Sequence, residues 1–598
     1  MSESGDCHVM SCETDDGTVV YVRGDIDLTT HDMMVRMLDD AAARGQHVIV
    51  DLSRTTFISS RYTGPVRKGM APRPTSPGEN FCTPSRRPAD AGRERRKTAR
   101  RLASVPMSDA PDAERVERVA AALLDPVLEP IVDMVATVTA DGDGYDVRTV
   151  DGRVRFRRAN GGGDGDGFVE TVVEGRNPLG DTATDRFVPL AEERANPWPT
   201  RTSQSYPHAH EHIAQVFDHS AAPDIVCLHT PAHNWEDQGG ERGEHGSLGI
   251  VQVRAPFVMS GAGVRGEGAL LPLAGRLVDV APTVLALLGA ATSLARQDGR
   301  VLTELLDPDA EPPEHVIGFL WDGTNANVLY DMVAAGEVPH LARLLEAGTG
   351  LGHGAMASLP SVTLANHTTI QTGVHPGHHG ILHNAWYHRA TGEQIVTNSP
   401  ATWPWSMQTL DRGVETLHQA IHRAFPGSRT VAINEPCDTG ADESTFDVIR
   451  SGGRLARAPR ADELPFATER FVRPEKSYEI SSRIDHTGMT QALGVWEGGG
   501  QLPRYCFVNF TLTDAAFHHS GPYAEIARAS IHDSDARLGQ ILAAVERAGV
   551  WDRTAFFLVA DHGMEDSNPD VTGDWGPALA DTGIPCRDEA YGFIYVDA

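Results

Sequence analysis

Pro360-Ser361-Val362-Thr363-Leu364-Ala365-Asn366-His367 places a hydroxyl three residues before an amide, between an apolar segment and the run Gly373-Val374-His375-Pro376-Gly377-His378-His379-Gly380. Upstream, His315-Val-Ile-Gly-Phe-Leu-Trp-Asp322-Gly323 reads as an apolar strand that ends in a carboxylate and a glycine. Downstream, Ala555-Phe-Phe-Leu-Val-Ala-Asp561-His562-Gly563-Met564 is a second strand of the same kind. Strands that deliver Asp, Thr and Asp-His at their carboxyl ends point to one metal-loaded site at the edge of a parallel sheet.

The chain alternates around these stretches. Val316–Trp321, Thr430–Asn434, Tyr505–Leu512 and Thr554–Ala560 read as buried strands. Asn325–Ala335, Val338–Ala347 and Ile526–Ala548 read as helices. Such alternation predicts an α/β fold, a doubly wound and mostly parallel sheet with helices on both faces. Residues 109–300 add a helix (Ala110–Leu123), a strand from Val132, a buried strand Pro223–His229, the loop Gly243-Glu244-His245-Gly246 and a short helix between Leu277 and Gly289. The glycine-rich run Asn160–Gly167 reads as a loop. It is no phosphate cradle, because neither Gly-Lys-Ser/Thr nor a helix follows it.

A chain of 598 residues is too long for one ordinary core. Its net charge of −30 makes it a poor partner for a nucleic-acid polymer. Residues 61–101 run against that charge, with 12 Lys/Arg against 3 Asp/Glu among prolines and glycines. They predict a disordered basic linker over 62–108. Seven scattered cysteines without a Cys-x-x-Cys spacing suggest reduced thiols and a cytoplasmic setting. No signal peptide and no membrane span are expected.

Asp322, Asp514, His518, Asp561 and His562 all stand just after apolar strands. Asp514 and His518 are four apart, so one helical turn would point both the same way. Mixed Asp/His ligation suits zinc, or manganese and related ions. Two such ions would clamp a phosphoryl group and activate the Thr363 hydroxyl, otherwise a weak nucleophile. Against this stand plainer readings: Thr363 as a helix cap, Asp561-His562 as a solvated pair, His519 in place of His518. The tract His208, His210, His212 reads as a polar helix start, and His375, His378 and His379 as turn-shaping residues. His229 and His233 are candidates to line the site, and Arg242 to meet a substrate phosphate. Trp403-Pro-Trp405 is read either as a base-stacking element or as part of a lid.

These motifs resemble the nucleotide pyrophosphatase/phosphodiesterase family of the alkaline phosphatase superfamily. The resemblance rests on Asp322-Gly323, Pro360-x-x-Thr363-x-x-Asn366-His367, Thr372-Gly373-x-x-Pro376-x-x-His379-Gly380, Asp514-x-x-x-His518-x-x-Gly521-Pro522 and Asp561-His562-Gly563-Met564. It covers roughly residues 315–598 and implies an alkaline-phosphatase-like fold with two divalent ions, zinc first. By that resemblance Thr363 is the nucleophile of a phospho-enzyme and Asn366 donates to a phosphoryl oxygen. Asp322, Asp561 and His562, with Thr363, form one metal set, and Asp514 and His518 belong to the other. The family places one more histidine in a Gly-x-His-Gly loop after Asp-His-Gly-Met. Here the similar stretch lies upstream, in Gly243-Glu244-His245-Gly246, followed by Arg254-Ala255-Pro256 and Val278–Gly289. The expectation is a circularly permuted catalytic domain, built from 109–300 and 301–598, in which His245 completes the second metal set. Separately, residues 1–61, with Thr18-Val-Val-Tyr-Val-Arg-Gly24 and His47-Val-Ile-Val-Asp-Leu52, resemble a truncated STAS domain, an anti-sigma-factor antagonist fold. Ser60 stands where that family carries its phosphorylated serine.

The function expected is metal-dependent hydrolysis of a phosphodiester or pyrophosphate bond in a small phosphorylated substrate such as a nucleotide. One alternative is a phosphomonoesterase or phosphonate hydrolase on the same scaffold. Another is an inactive, STAS-linked regulatory binding protein.

Overall fold

All seven residues of the strand His315–Trp321 are buried, as a strand covered on both faces must be. Ile317, Phe319 and Trp321 enter one apolar cluster, and Val316 and Leu320 enter another. The computed structural model describes residues 8–14, 17–26, 48–58, 113–159, 167–235, 241–290, 293–452 and 476–597. They fall into two units, 1–110 and 111–597.

In the first unit, His8–Thr14, Gly17–Ile26 and Val48–Ile58 form a three-stranded sheet. Gly17–Ile26 runs antiparallel to the first strand and parallel to the third. Ser60 and the 62–108 linker lie outside the described residues, as does most of the Asn160–Gly167 loop.

In the second unit an eight-stranded sheet runs in the order Ala269–Leu271, Gly348–Leu351, Phe257–Gly261, Thr554–Val559, His315–Trp321, Tyr505–Phe510, Thr430–Ile433, Glu443–Ser444. It is mostly parallel. Only Phe257–Gly261 opposes its two neighbours. Helices Ala326–Ala334, Pro339–Glu346 and Glu525–Arg547 supply Leu329, Leu341 and Ile531 to one face. Helices Val280–Leu287, Thr363–Thr372 and Leu417–Ala424 supply Val284, Ile370 and Ile421 to the other. The α/β expectation of a sheet covered on both sides therefore holds.

Two features differ from the reading of the sequence. The strand expected over Tyr505–Leu512 stops at Phe510, and Leu512–Ser520 is a helix. The reason is a cap from a distant residue: the backbone N–H groups of Thr511 and Leu512 donate to the Asp485 carboxylate at 2.8 and 3.0 Å. There is also a second sheet of seven strands, paired antiparallel throughout, from Cys586–Glu589 and Phe593–Val596 through Ile225–His229 and Val132–Val138 to Phe168–Gly175. Two of its strands, Val132–Val138 and Ile225–His229, are legible in the sequence, but their pairing with each other and that of Ile225–His229 with Phe593–Val596 are not, because partners so far apart in the chain leave no local pattern.

A Cβ on Gly318, in the central strand, would lie 2.3 Å from Phe557 Cζ and 2.6 Å from Phe507 Cδ2. Gly318→Ala is expected to destabilise the unit by about 1–3 kcal/mol through this overpacking, read as a lower denaturation midpoint. An unchanged midpoint would contradict the packing. A second expectation concerns Asp133, which is buried and accepts a 2.9 Å hydrogen bond from the Tyr206 hydroxyl. Burial pushes its carboxyl up to about 6. A raised folded-state pKa means the folded protein holds the proton more tightly, so stability falls as pH rises from about 4 through about 6. Asp133→Asn should be neutral near pH 4 and stabilising by about 3 kcal/mol near pH 8. Urea titrations at the two pH values would show this difference.

Candidate active site

Asp322 follows the strand His315–Trp321, and Asp561 follows its neighbour Thr554–Val559. Adjacent parallel strands thus put two acids at one sheet edge. His562 Nε2 lies 3.8 Å from Asp322 Oδ1 and 3.3 Å from Asp561 Oδ2. The three donors converge closely enough to hold a metal ion, and all are buried. Gly323 N–H donates to Asp561 Oδ1 at 3.0 Å and fixes that carboxylate.

A second convergent group consists of His245, Asp514 and His518. Asp514 and His518 lie one turn apart on the Leu512–Ser520 helix, with His518 Nε2 3.3 Å from Asp514 Oδ1. His245 arrives from far upstream in the chain. Its Nε2 is 3.1 Å from His518 Nε2 and 3.9 Å from Asp514 Oδ1. The side chains here are 10–16 % exposed, against 0–6 % in the first group, so solvent reaches the site over the second. The His245 and His562 rings stack at 3.6 Å between centroids, so the two groups are contiguous.

Each imidazole is aimed by the backbone. The Nδ1–H groups of His245, His518 and His562 donate to the carbonyls of Ser361 (2.7 Å), Gly243 (2.7 Å) and Gly563 (2.9 Å). That leaves each Nε2 lone pair facing the site, the tautomer a metal ligand needs. Asp322 Oδ1, Asp514 Oδ1, Asp561 Oδ2 and His562 Nε2 are buried without hydrogen-bond partners among the described residues. Buried polar atoms are rarely left so, and a cation in each group would satisfy all four. Charge is crowded here: against its burial, the Asp514 and Glu241 carboxylates hold the His518 imidazole well above its usual range. Burial and the charges of Asp561 and Asp514 hold the Asp322 carboxyl well above the usual range. Burial and the neighbouring His562 and His518 keep His245 neutral.

Thr363 is the first residue of the helix Thr363–Thr372, after Val362, which offers no side-chain cap. Its neighbours locate it: Ser361 carries the carbonyl that holds His245, and His367, one turn on, lies 3.5 Å from Asp561 Oδ2. No hydrogen bond reaches the Thr363 hydroxyl from another described residue.

Asn366 does not face the site. Its Nδ2 donates to the carbonyls of Ser358, Pro360 and Val362, and its Oδ1 accepts from Ser358 N–H. With 0 % exposure and every polar atom used, it ties down the turn before Thr363 and has nothing left for a substrate. The amide beside Thr363 is instead that of Asn384. Its Oδ1 accepts from Leu364 N–H at 3.1 Å, and its Nδ2 has no hydrogen bond among the described residues. Asn384 follows the Gly/His-rich run, and a lone amide in a turn carries no distinguishing sequence signal.

The other candidates scatter. His519 is exposed and outside the group that His518 joins. His229 backs the loop, its Nε2 3.3 Å from the His245 carbonyl, while His233 donates to Gly573 elsewhere. Arg242 is exposed, and its backbone N–H donates to the His518 carbonyl. His208 and His212 flank the start of the Ala209–Val216 helix, and His375, His378 and His379 brace the turn after Thr372. Neither set forms a metal-competent group among the described residues. Trp405 is 44 % exposed in a short helix over Trp403–Thr409.

Residues 316–592 match the family described as type I phosphodiesterase / nucleotide pyrophosphatase. An uncharacterized pyrophosphatase/phosphodiesterase of Schizosaccharomyces pombe is 38% identical over 85 residues, 14% of this chain and 16% of that protein. Ectonucleotide pyrophosphatase/phosphodiesterase 1 of Saccharomyces cerevisiae is 23% identical over 220 residues, 35% of this chain and 28% of that protein. The structure of murine ectonucleotide pyrophosphatase / phosphodiesterase 5 matches at 17% identity and a TM-score of 0.32, over 42% of this chain and 57% of that one. The chain thus spans only part of each relative's length.

Asn366→Ala would leave the Ser358 N–H and the Ser358 carbonyl without their partner, while the Pro360 and Val362 carbonyls keep a backbone donor each, the N–H of Val362 and of residue 366. It is expected to cost about 2–4 kcal/mol of stability, seen as a lower denaturation midpoint. A stable variant with a purely kinetic defect would restore Asn366 to the substrate.

Proposed function

We propose that this protein is a metal-dependent phosphoric ester hydrolase acting on phosphodiester or pyrophosphate bonds of a small phosphorylated substrate such as a nucleotide. The observation that carries the reading is the pair of contiguous Asp/His groups beside the open hydroxyl of Thr363. The family of residues 316–592 supports it.

Asp322, Asp561 and His562, with the Thr363 hydroxyl, would hold one divalent ion, and His245, Asp514 and His518 the other. Zinc suits this donor set first, manganese or a similar ion second. Bound there, two such ions would lower the pKa of a hydroxyl and neutralise phosphoryl oxygens. The chain's own residues do the rest. Thr363 Oγ1, its proton lost to solvent, forms a bond to phosphorus in line as the bond to the leaving oxygen breaks. The departing oxygen takes up a proton. Water then attacks phosphorus, the bond to Thr363 breaks, and phosphate or a phosphomonoester leaves. The Asn384 amide, held through its own oxygen by Leu364 N–H, takes the role of donor to a phosphoryl oxygen. Donors fixed in this way contribute most where charge develops.

The permuted segment order belongs to the same reading. Its support is that Phe257–Gly261 lies between Gly348–Leu351 and Thr554–Val559 in the large sheet, and that His245 meets Asp514 and His518. A cytoplasmic setting is part of the proposal too, on the free thiols of Cys227, Cys437, Cys506 and Cys586.

The test is hydrolysis of bis-p-nitrophenyl phosphate and p-nitrophenyl phosphate, with chelator and with added zinc. Wild type should prefer the diester and lose activity to chelator. Thr363→Ala should abolish turnover, and Asn384→Ala should lower kcat by about 100- to 1000-fold. A preference for the monoester would move the assignment to a phosphomonoesterase. No turnover in metal-replete protein would overturn the proposal and favour the binding-protein reading.

A further inference from the structure

His367 stands four residues after Thr363 on the same helix, so both project from one face. It is 1 % exposed and outside both metal-competent groups. Its Nδ1–H donates to Glu435 Oε2 at 2.8 Å. Glu435 is itself fully buried, just beyond the strand Thr430–Ile433, and its other oxygen accepts from Cys437 N–H at 2.7 Å. The opposite edge of the imidazole faces the site. His367 Nε2 lies 3.5 Å from Asp561 Oδ2 and 3.8 Å from Asp322 Oδ2, and makes no hydrogen bond to a described residue.

The two carboxylates depend on this contact unequally. Asp561 has an anchor of its own, the Gly323 N–H on Oδ1. The Asp322 carboxylate has no such backbone anchor among the described residues: its Oδ1 is directed to His562 and its Oδ2 to His367. A buried carboxylate such as Glu435 is costly without a partner, so Glu435 and His367 keep each other in place. A ring locked on one nitrogen can aim the other at a fixed point, which is how outer residues orient ligands around a metal.

We propose that Glu435 and His367 are a positioning pair that orients Asp322 and Asp561 from behind, and so sets the metal affinity of the Asp322/Asp561/His562 group alone. The inference rests on the two-metal reading above. The second group has separate supports, the carbonyls of Ser361 and Gly243, and should not feel the pair.

The experiment is Co2+ titration of metal-stripped full-length protein, read by calorimetry and by the visible absorption of the bound ion. The variants are His367→Ala, His367→Gln and Glu435→Gln. Wild type should take up two ions. His367→Ala should keep one with unchanged affinity and spectrum and bind the other about 10- to 100-fold more weakly. His367→Gln, whose amide nitrogen can reach the Nε2 position, should recover most of the loss. Glu435→Gln should fall between. Two ions bound as in wild type by His367→Ala overturn the pairing, as does equal weakening of both ions in a protein with an unchanged circular dichroism spectrum. Should His367→Ala fail to fold, Glu435→Gln decides: wild-type affinity at both positions overturns the pair, and selective weakening of one supports it. Wild type that binds no ion would instead reject the two-metal reading.

Discussion

Burying carboxylates side by side is the constraint around which this structure is arranged. Asp322 and Asp561 end adjacent strands at the sheet edge, and the charges of Asp561 and Asp514 both bear on Asp322. Acids so placed, away from water, are costly unless something positive or hydrogen-bonding meets them. The fold answers with imidazoles on three sides: His562 from the next residue, His367 from the Thr363 helix, and His245 and His518 across the second group. The orphaned oxygens that remain all face one place.

That place is assembled from distant parts of the chain. The Ser361 carbonyl that aims His245, the Gly243 carbonyl that aims His518, and the Asp485 carboxylate that starts the Asp514 helix all act across long stretches of sequence. Gly243 shows how tight the fit is. A Cβ there would lie 2.4 Å from the Phe517 carbonyl oxygen, so only glycine lets this loop approach the helix that carries His518. The Thr363 helix serves both groups, since Ser361 precedes it and His367 lies within it.

Much of this was legible in the residues. Strands ending in Asp322 and Asp561-His562 announce themselves by long apolar runs, because a strand buried on both faces must be apolar at every position. Asp514 and His518 announce themselves by spacing. Asn366 did not follow the same logic: an amide next to a nucleophile is equally suited to bind substrate or to tie a turn, and only the four hydrogen bonds around it decide. Glu435 stands just past a strand, as Asp322 does, yet the short strand before it gave little emphasis. Asn384 left no pattern, and the antiparallel second sheet was legible in single strands, at Val132 and Pro223–His229, but not in its pairing.

Local composition therefore determined the elements, the α/β class and the residue types available for catalysis, since periodicity and strand-end chemistry are written within a few residues of each site. Tertiary structure decided which amide faces the nucleophile and that His367 links Glu435 to the buried acids. Those outcomes depend on distances between segments that are remote in the chain, and a side chain's free hydrogen-bonding capacity exists only after its neighbours have taken their share.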